Sequence, residues 1–284
     1  MGIDWQHNSP CIQPLSLPLA KEADVVLDML RLDSLHPEVS GNKWFKLKYL
    51  IQDALHTGKQ TLLSFGGCYS NHLHAMAYAA KSYKLKSIGV VRGEKITNPT
   101  LLDCEQWGMD LHFVSRSDYR RKTDEEFLQV LKQDYPEAYI IPEGGASELA
   151  IQGCSEILQL VDTSSYDYIL VSVGTGTTFQ GLSTVLIGEQ QLVGYAAWKQ
   201  SRPSLEDAYF YDEDFGGFGK SNARLQEFML DFEQQTQVRL DRVYTAKMMY
   251  RVCAQIQQGY FKRGSRLLAI HTGGLQGNRS LEKP

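Results

Sequence analysis

Short, nearly uninterrupted apolar runs alternate along this chain with longer stretches whose apolar residues recur every three or four positions. The runs starting at Thr61 (TLLSF), Ser87 (SIGVV), Leu111 (LHFVS), Ala138 (AYIIP), Tyr168 (YILVSVG), Leu192 (LVGYA) and Arg266 (RLLAIHTG) are predicted strands. Several lack polar alternation, the pattern of strands covered on both faces. Helices are predicted over Asn42–Thr57, Ser70–Tyr83, Lys122–Gln133, Glu148–Leu160, Thr177–Ile187, Asn222–Gln234 and Tyr244–Gln257. Strand–helix alternation of this kind implies α/β architecture, with parallel sheets flanked by helices. There is no internal repeat, low-complexity tract or long linker, so a second domain is expected as an insertion into the first.

The first predicted helix carries Leu47, Leu50, Ile51, Ala54 and Leu55 on one stripe. Four residues back from Leu47 and Leu50 stand Lys43 and Lys46, on the same face, whereas Lys48 lies on another. A buried ammonium is costly unless it is paired or its pKa falls, and a lysine with a lowered pKa can act as a nucleophile or hold a Schiff base. Both lysines near a helix start could also face a phosphate. The same pattern suits two lysines that snorkel to water from a frayed first turn.

Two strand-to-helix turns add to this. After TLLSF comes GGCYSNH, where Ser70 is a candidate N-cap and Asn71 a further hydrogen-bonding group. Open α/β sheets bind ligands at the carboxyl ends of their strands, and a turn of this kind can hold a carboxylate. His72 and His74 are two apart and do not face each other on a helix, so no metal pair is expected. After YILVSVG comes Gly174-Thr175-Gly176-Thr177-Thr178, with Gly181 following. Glycines and hydroxyls at a helix start make an anion nest. The spacing fits neither GxxxxGK[ST] nor GxGxxG, so a lone phosphate suits it better than a nucleotide.

Bulk properties narrow the partner. A net charge of −4 leaves no electrostatic footprint for nucleic acid or an anionic membrane, which points to a small-molecule substrate. No apolar run approaches the ~20 residues of a spanning helix, and MGIDWQHNSPCIQP does not read as a secretory signal. Five cysteines without a CxxC suggest reduced thiols in a cytoplasmic protein.

The ordered set Gly41-Asn42-Lys43, Ser70-Asn71, Gly174 to Thr178, Tyr244-Thr245-Ala246-Lys247 and His271-Thr272-Gly273-Gly274 resembles the fold-type II enzymes that depend on pyridoxal 5′-phosphate. Within them it is similar to the family of 1-aminocyclopropane-1-carboxylate deaminase and D-cysteine desulfhydrase. The resemblance runs from about Ser40 to Gly274. It implies two open, twisted, mostly parallel sheets flanked by helices, as in the tryptophan synthase β-like fold. Residues 1–50 plus 150–284 would form a larger cofactor-binding domain and 51–149 a smaller inserted α/β domain, in a homodimer.

The resemblance also implies roles. Lys43 carries the cofactor as a Schiff base, and Lys46 sits near the phosphate. Asn71 bonds the pyridine 3′-oxygen. Gly174, Thr175, Gly176, Thr177 and Thr178 cradle the phosphate. Thr245 faces the pyridine nitrogen. Ser70 and Tyr244 act on the substrate, with Tyr69, Ser70, Asn71, His72 and Phe215 around it. Thr245, Met248, Met249, Val252 and Ile256 form one stripe, which turns Thr245 inward at a helix start. A hydroxyl there protonates the ring less than a carboxylate would, which suits prompt β-elimination.

The chain departs from the deaminase pattern in three places. Thr245 stands where the deaminases have Glu. Phe215 stands where a second catalytic tyrosine is expected. Tyr69 replaces the glutamine before Ser70. The implied activity is release of a keto acid, ammonia and sulfide from D-cysteine, with Lys43 or Ser70 taking the α-proton. The alternatives are ring-opening deamination, another D-amino-acid lyase, or a non-catalytic protein that binds pyridoxal phosphate or amino acids.

Overall fold

The computed structural model describes residues 10–197, 209–211, 215 and 219–280. Every run predicted as a strand forms one. In chain order the strands are β1 (Ile12–Pro14), β2 (Val26–Arg31), β3 (Thr61–Gly67), β4 (Lys86–Arg92), β5 (Met109–Val114), β6 (Ala138–Ile141), β7 (Tyr168–Val173), β8 (Gln191–Ala196), β9 (Tyr209–Tyr211) and β10 (Arg266–His271). The helices are α1 (Pro18–Glu22), α2 (Lys43–His56), α3 (Asn71–Ser82), α4 (Pro99–Gln106), α5 (Arg116–Arg120), α6 (Glu125–Asp134), α7 (Glu148–Ser155), α8 (Thr177–Ser183), α9 (Ala223–Thr236) and α10 (Thr245–Gln257).

The strands make a six-stranded sheet, β1-β2-β10-β7-β8-β9, and a four-stranded sheet, β5-β4-β3-β6. The β1/β2 pair is antiparallel and all other pairs are parallel. Neighbouring residues of one strand supply opposite faces, which is why the runs are apolar throughout. Leu170, Leu267 and Ala269 pack with Met248, Met249 and Val252 of α10 and Leu225 and Phe232 of α9. Their neighbours Ile169, Val171, Leu268 and Ile270 pack on the other side with Phe45, Cys154, Phe179 and Leu182. Each fully buried aliphatic or phenyl side chain contributes about 1.5–3 kcal/mol.

Several elements escaped the sequence pattern. Strand β2 (VLDMLR) is interrupted by Asp28, whose buried carboxylate accepts the Tyr166 hydroxyl at 2.6 Å and lies 3.6 Å from Arg266. Helix α4 starts from an Asn98 cap followed by Pro99, local chemistry rather than a stripe. The helix predicted over Glu148–Leu160 breaks after Ser155 into a 3-10 turn, Ile157–Leu160. At the break Glu156 pairs with Lys48 and accepts the Tyr49 hydroxyl at 2.5 Å, both from α2. Leu55, expected on the buried stripe of α2, is exposed.

Helix α2 joins the two sheets. Phe45 packs with the six-stranded sheet, whereas Leu47, Leu50, Ile51 and Ala54 pack with Leu62 of the other sheet and Leu73 of α3. The domain boundary expected between residues 50 and 51 falls inside this helix. Helices α2, α7 and α8 touch backbone to backbone. A Cβ on Gly153 of α7 would lie 1.8 Å from the Phe45 carbonyl oxygen, and one on Gly181 of α8 would lie 2.6 Å from the Ile151 oxygen.

The structure corrects one expectation outright. Phe215 is 2% exposed and lies in the core with α9 and α10, edge-on to Tyr250 at 5.0 Å between centroids. Its apolar ring is drawn into that packing and is buried there. Residues 212–214 and 216–218 on either side lie outside the described residues.

Two substitutions test this packing. Phe215→Ala should cost about 3–5 kcal/mol of stability as a core truncation. Gly153→Ala should cost about 1–3 kcal/mol or more, because the added methyl forces α7 away from α2. Urea unfolding measures both, and a wild-type midpoint for either would contradict the contacts described.

Candidate active site

The carboxyl ends of β3, β6, β7 and β10 lead into the turns around residues 67–70, 142–147, 174–176 and 272–274. The start of α2 is seated against the last of these. Gly41 has φ +67, and a Cβ there would lie 2.0 Å from Thr272 O. Only glycine permits that conformation at that distance. The Asn42 N–H then donates to Thr272 O at 3.3 Å, and its side chain Nδ2 donates to Thr178 Oγ1 at 2.7 Å. Lys43 Nζ donates to Asn42 Oδ1 at 2.5 Å. The amine at the start of α2 is thereby tied to the start of α8.

Three residues further along the same stripe, Lys46 is 5% exposed. Its Nζ donates to Gly144 O and to Thr175 Oγ1, each at 3.2 Å, and Thr175 Oγ1 lies 3.0 Å from Thr177 Oγ1. Lys46 therefore bridges the turns that follow β6 and β7. Lys43 keeps a half-buried side chain, but protein crowds its amine. Burial, and then the charge of Lys46, lowers its pKa to about 7, against a smaller opposing pull from Asp241. Burial also lowers the pKa of Lys46.

Gly176, with φ +87, precedes α8, and no side chain caps that helix. Its first backbone N–H groups have no intrahelical partner. Ser70 does cap α3: its Oγ accepts the Leu73 N–H at 3.2 Å, which leaves the hydroxyl hydrogen free to be donated. Asn71 Oδ1 accepts from Gln276 Nε2, so the Asn71 NH2 is the group offered elsewhere. A Cβ on Gly274 would lie 2.5 Å from Asn71 Nδ2 and 3.4 Å from Asp241 Cγ, which brings the turns after β3 and before α10 together.

Asp241 organises the start of α10. Its Oδ1 accepts the Thr245 N–H and hydroxyl, both at 2.8 Å, and its Oδ2 accepts the N–H groups of Val243 and Tyr244 at 3.0 Å. Thr245 is fully buried and its hydroxyl also accepts the Asp241 N–H at 2.8 Å. Because its hydrogen goes to the carboxylate, Thr245 presents a lone pair rather than a proton. Tyr244 is half-buried. Burial, then the charges of Asp241 and Glu143, raises its pKa, so the phenol stays protonated at neutral pH.

The remaining expected residues stand apart from this group in different ways. Tyr69 is 46% exposed, with the Arg242 guanidinium 5.7 Å from its ring centre. His72 is 3% exposed, with Nε2 3.0 Å from Ser64 Oγ. Burial, then the charges of Lys46 and Lys43, lowers its pKa to about 3, so it is a neutral ring in the wall and not on the open face a substrate contact needs. Asp241, Gln276 and Arg242 went unnoticed in the sequence. Asp241, four residues before Thr245, carries the one local signal, that of an acidic group ahead of a helix start. Gln276 belongs to a 3-10 turn with no pattern of its own.

The donor set fits pyridoxal phosphate. Uncapped N–H groups, three threonine hydroxyls and Lys46 suit its phosphate, Lys43 its aldehyde, and the Asn71 NH2 its phenolic oxygen.

Comparison with known proteins points the same way. The sequence profile of the family described as "Pyridoxal-phosphate dependent enzyme" matches residues 7–194. A protein of Pyrococcus horikoshii, provisionally assigned as a 1-aminocyclopropane-1-carboxylate deaminase, is 30% identical over 272 residues, 84% of this chain and 81% of its own. The mitochondrial bifunctional D-cysteine desulfhydrase/1-aminocyclopropane-1-carboxylate deaminase of Arabidopsis thaliana is 28% identical over 84% of this chain and 70% of its own. Among solved structures, a homologue of the deaminase superposes with a TM-score of 0.84 at 26% identity, covering 98% of this chain and 93% of that one. The O-acetylserine dependent cystathionine beta-synthase of Helicobacter pylori, 16% identical with a TM-score of 0.69, shares the fold over 99% of this chain and 96% of its own. This chain therefore belongs to the pyridoxal-phosphate dependent enzymes of fold-type II, in the family of 1-aminocyclopropane-1-carboxylate deaminase and D-cysteine desulfhydrase.

Proposed function

We propose that this chain is a deaminating lyase for a small amino acid, with D-cysteine converted by β-elimination to a keto acid, ammonia and sulfide. The observation that carries this reading is Thr245. Its hydroxyl hydrogen is held by Asp241, so it cannot feed a proton to a ring nitrogen opposite it. When bound, pyridoxal phosphate withdraws electrons from the substrate α-carbon, and without that proton the withdrawal is weaker. A substrate whose β-substituent departs at once suits such a site. Phe215, sequestered in the core, supplies no second phenol for ring opening.

The residues divide the remaining work. Lys43 Nζ, neutral above about pH 7, anchors the cofactor and then accepts the α-proton. Ser70 Oγ donates its free hydrogen to the substrate carboxylate. Tyr244 holds its proton at the phenol oxygen and hands it to the departing sulfur. Lys46 and the turn 174–178 hold the phosphate. Positioned acid–base groups of this kind contribute roughly 10²–10⁴-fold each. Ring-opening deamination is the second reading, favoured by the names of the Pyrococcus and Arabidopsis relatives.

Sulfide and keto-acid release from D-cysteine should exceed release of 2-oxobutanoate from 1-aminocyclopropane-1-carboxylate. The reverse order would install the deaminase reading. Lys43→Ala should abolish the visible absorbance of the protein. A yellow, borohydride-reducible protein after that substitution would remove Lys43 from its role.

The pH dependence has a definite sign. The amine of Lys43 is neutral above about 7, where an ordinary lysine, with its pKa of 10.5, is still charged. Capture of pyridoxal phosphate by cofactor-free protein should accelerate as pH rises through about 7 and then level off. Visible absorbance growth measures this, and a rate still climbing toward pH 10 would contradict it. Lys46→Met should move the midpoint upward, because the charge of Lys46 helps to lower it.

A further inference from the structure

Arg242 has no role in the chemistry above, yet it sits beside it. Its backbone N–H donates to Asn278 Oδ1 at 3.3 Å, which fixes the chain between Asp241 and Tyr244. Its guanidinium lies 5.7 Å from the centre of the Tyr69 ring. Tyr69 immediately precedes Ser70, so the cation stands where the turn after β3 meets the turn before α10. Gly274 marks that meeting, with Asn71 and Asp241 on either side.

The cation lacks an anion. Arg242 Nε is buried with no hydrogen-bond partner, and among the described residues no carboxylate forms an ion pair with it. Arg266 Nε is likewise without a hydrogen-bond partner, but its guanidinium has Asp28 at 3.6 Å, as Arg31 has Asp33 and Arg279 has Asp103. The adjacent Asp241 is not available, because its two oxygens already accept three N–H groups and the Thr245 hydroxyl.

A guanidinium that has lost water on one edge without gaining a carboxylate is destabilised until an anion arrives. An aromatic face beneath it holds the plane flat and leaves its N–H edge free to bind. Here that face is the ring of Tyr69. The α-carboxylate of an amino acid already has donors in the Ser70 hydroxyl and nearby N–H groups. The charge of Arg242 is left for a second negative group.

We propose that Arg242, supported on the ring of Tyr69, receives a negatively charged side-chain group of the amino-acid substrate: a thiolate, a carboxylate or a sulfonate. This deepens the amino-acid lyase reading and rests on it. Cysteine as its thiolate belongs to the class, and neutral amino acids of the same size do not.

The test compares aspartate with asparagine, which differ in charge and hardly in shape. Each enantiomer is titrated into the purified, cofactor-loaded protein, and the change in the visible spectrum gives a Kd that does not depend on turnover. One charged hydrogen bond corresponds to about 10-fold or more in affinity. Aspartate should therefore bind about 10-fold more tightly than asparagine in at least one enantiomer. Arg242→Gln should abolish the difference, with the asparagine Kd moving less than about twofold, and Arg242→Lys should retain some of it. Retention of the visible band in each variant confirms that the site has folded.

Equal affinities in the parent protein would overturn the proposal. So would a loss in Arg242→Gln that is the same for both ligands, since that would assign Arg242 to the α-carboxylate. A spectrum that responds to asparagine but not to charge would leave the lyase reading standing and remove this one. A spectrum that responds to no amino acid would remove both.

Discussion

The close approach of α2, α7 and α8 is the contact on which this molecule's site depends. With glycine at 153 and 181, the Phe45 and Ile151 carbonyls meet a neighbouring helix backbone directly. Any side chain at those positions would push the helices apart, since its Cβ would lie 1.8 Å from the Phe45 oxygen or 2.6 Å from the Ile151 oxygen. Lys43 and Lys46 project from the first turn of α2, so the separation of α2 from α8 decides whether Asn42 reaches Thr178 and whether Lys46 reaches Thr175. At the observed spacing Lys43 Nζ reaches Asn42 Oδ1 at 2.5 Å, Lys46 Nζ reaches Gly144 O and Thr175 Oγ1 at 3.2 Å, and the Asn42 side-chain amide reaches Thr178 Oγ1 at 2.7 Å.

That geometry has an electrostatic consequence. Two amines enter one enclosed region, and the nearby opposing charge of Asp241 is already engaged by the start of α10. Burial lowers the pKa of both amines, that of Lys43 to about 7, so loss of a proton relieves the crowded charge. His72 feels the same field and stays neutral, which lets a polar ring remain in the wall.

The turn before α10 couples the rest of the site to this arrangement. Asp241 gathers three backbone N–H groups and the Thr245 hydroxyl, which fixes Tyr244 and Thr245 at the start of α10. The segment 273–279 then locks the two sheets' contributions together through Gln276 on Asn71 and Arg279 on Asp103.

The sequence by itself determined the parallel α/β architecture, because strands buried on both faces need apolar residues at every position and leave an unmistakable run. It also marked Lys43 and Lys46, since a charge on a buried stripe is visible as a break in period. It did not disclose β2, where a buried carboxylate is neutralised by Tyr166 and Arg266 from more than a hundred residues away. The resemblance set Phe215 around the substrate, where a second tyrosine is expected, but packing with Tyr250 takes its ring into the core. Gln276, Asp241 and Arg242 became functional candidates only through tertiary contacts. Hydrophobic period is a local property that the chain carries in its own spacing, whereas the partner of a polar group is chosen by which distant turns the packed sheets and helices bring to the same point.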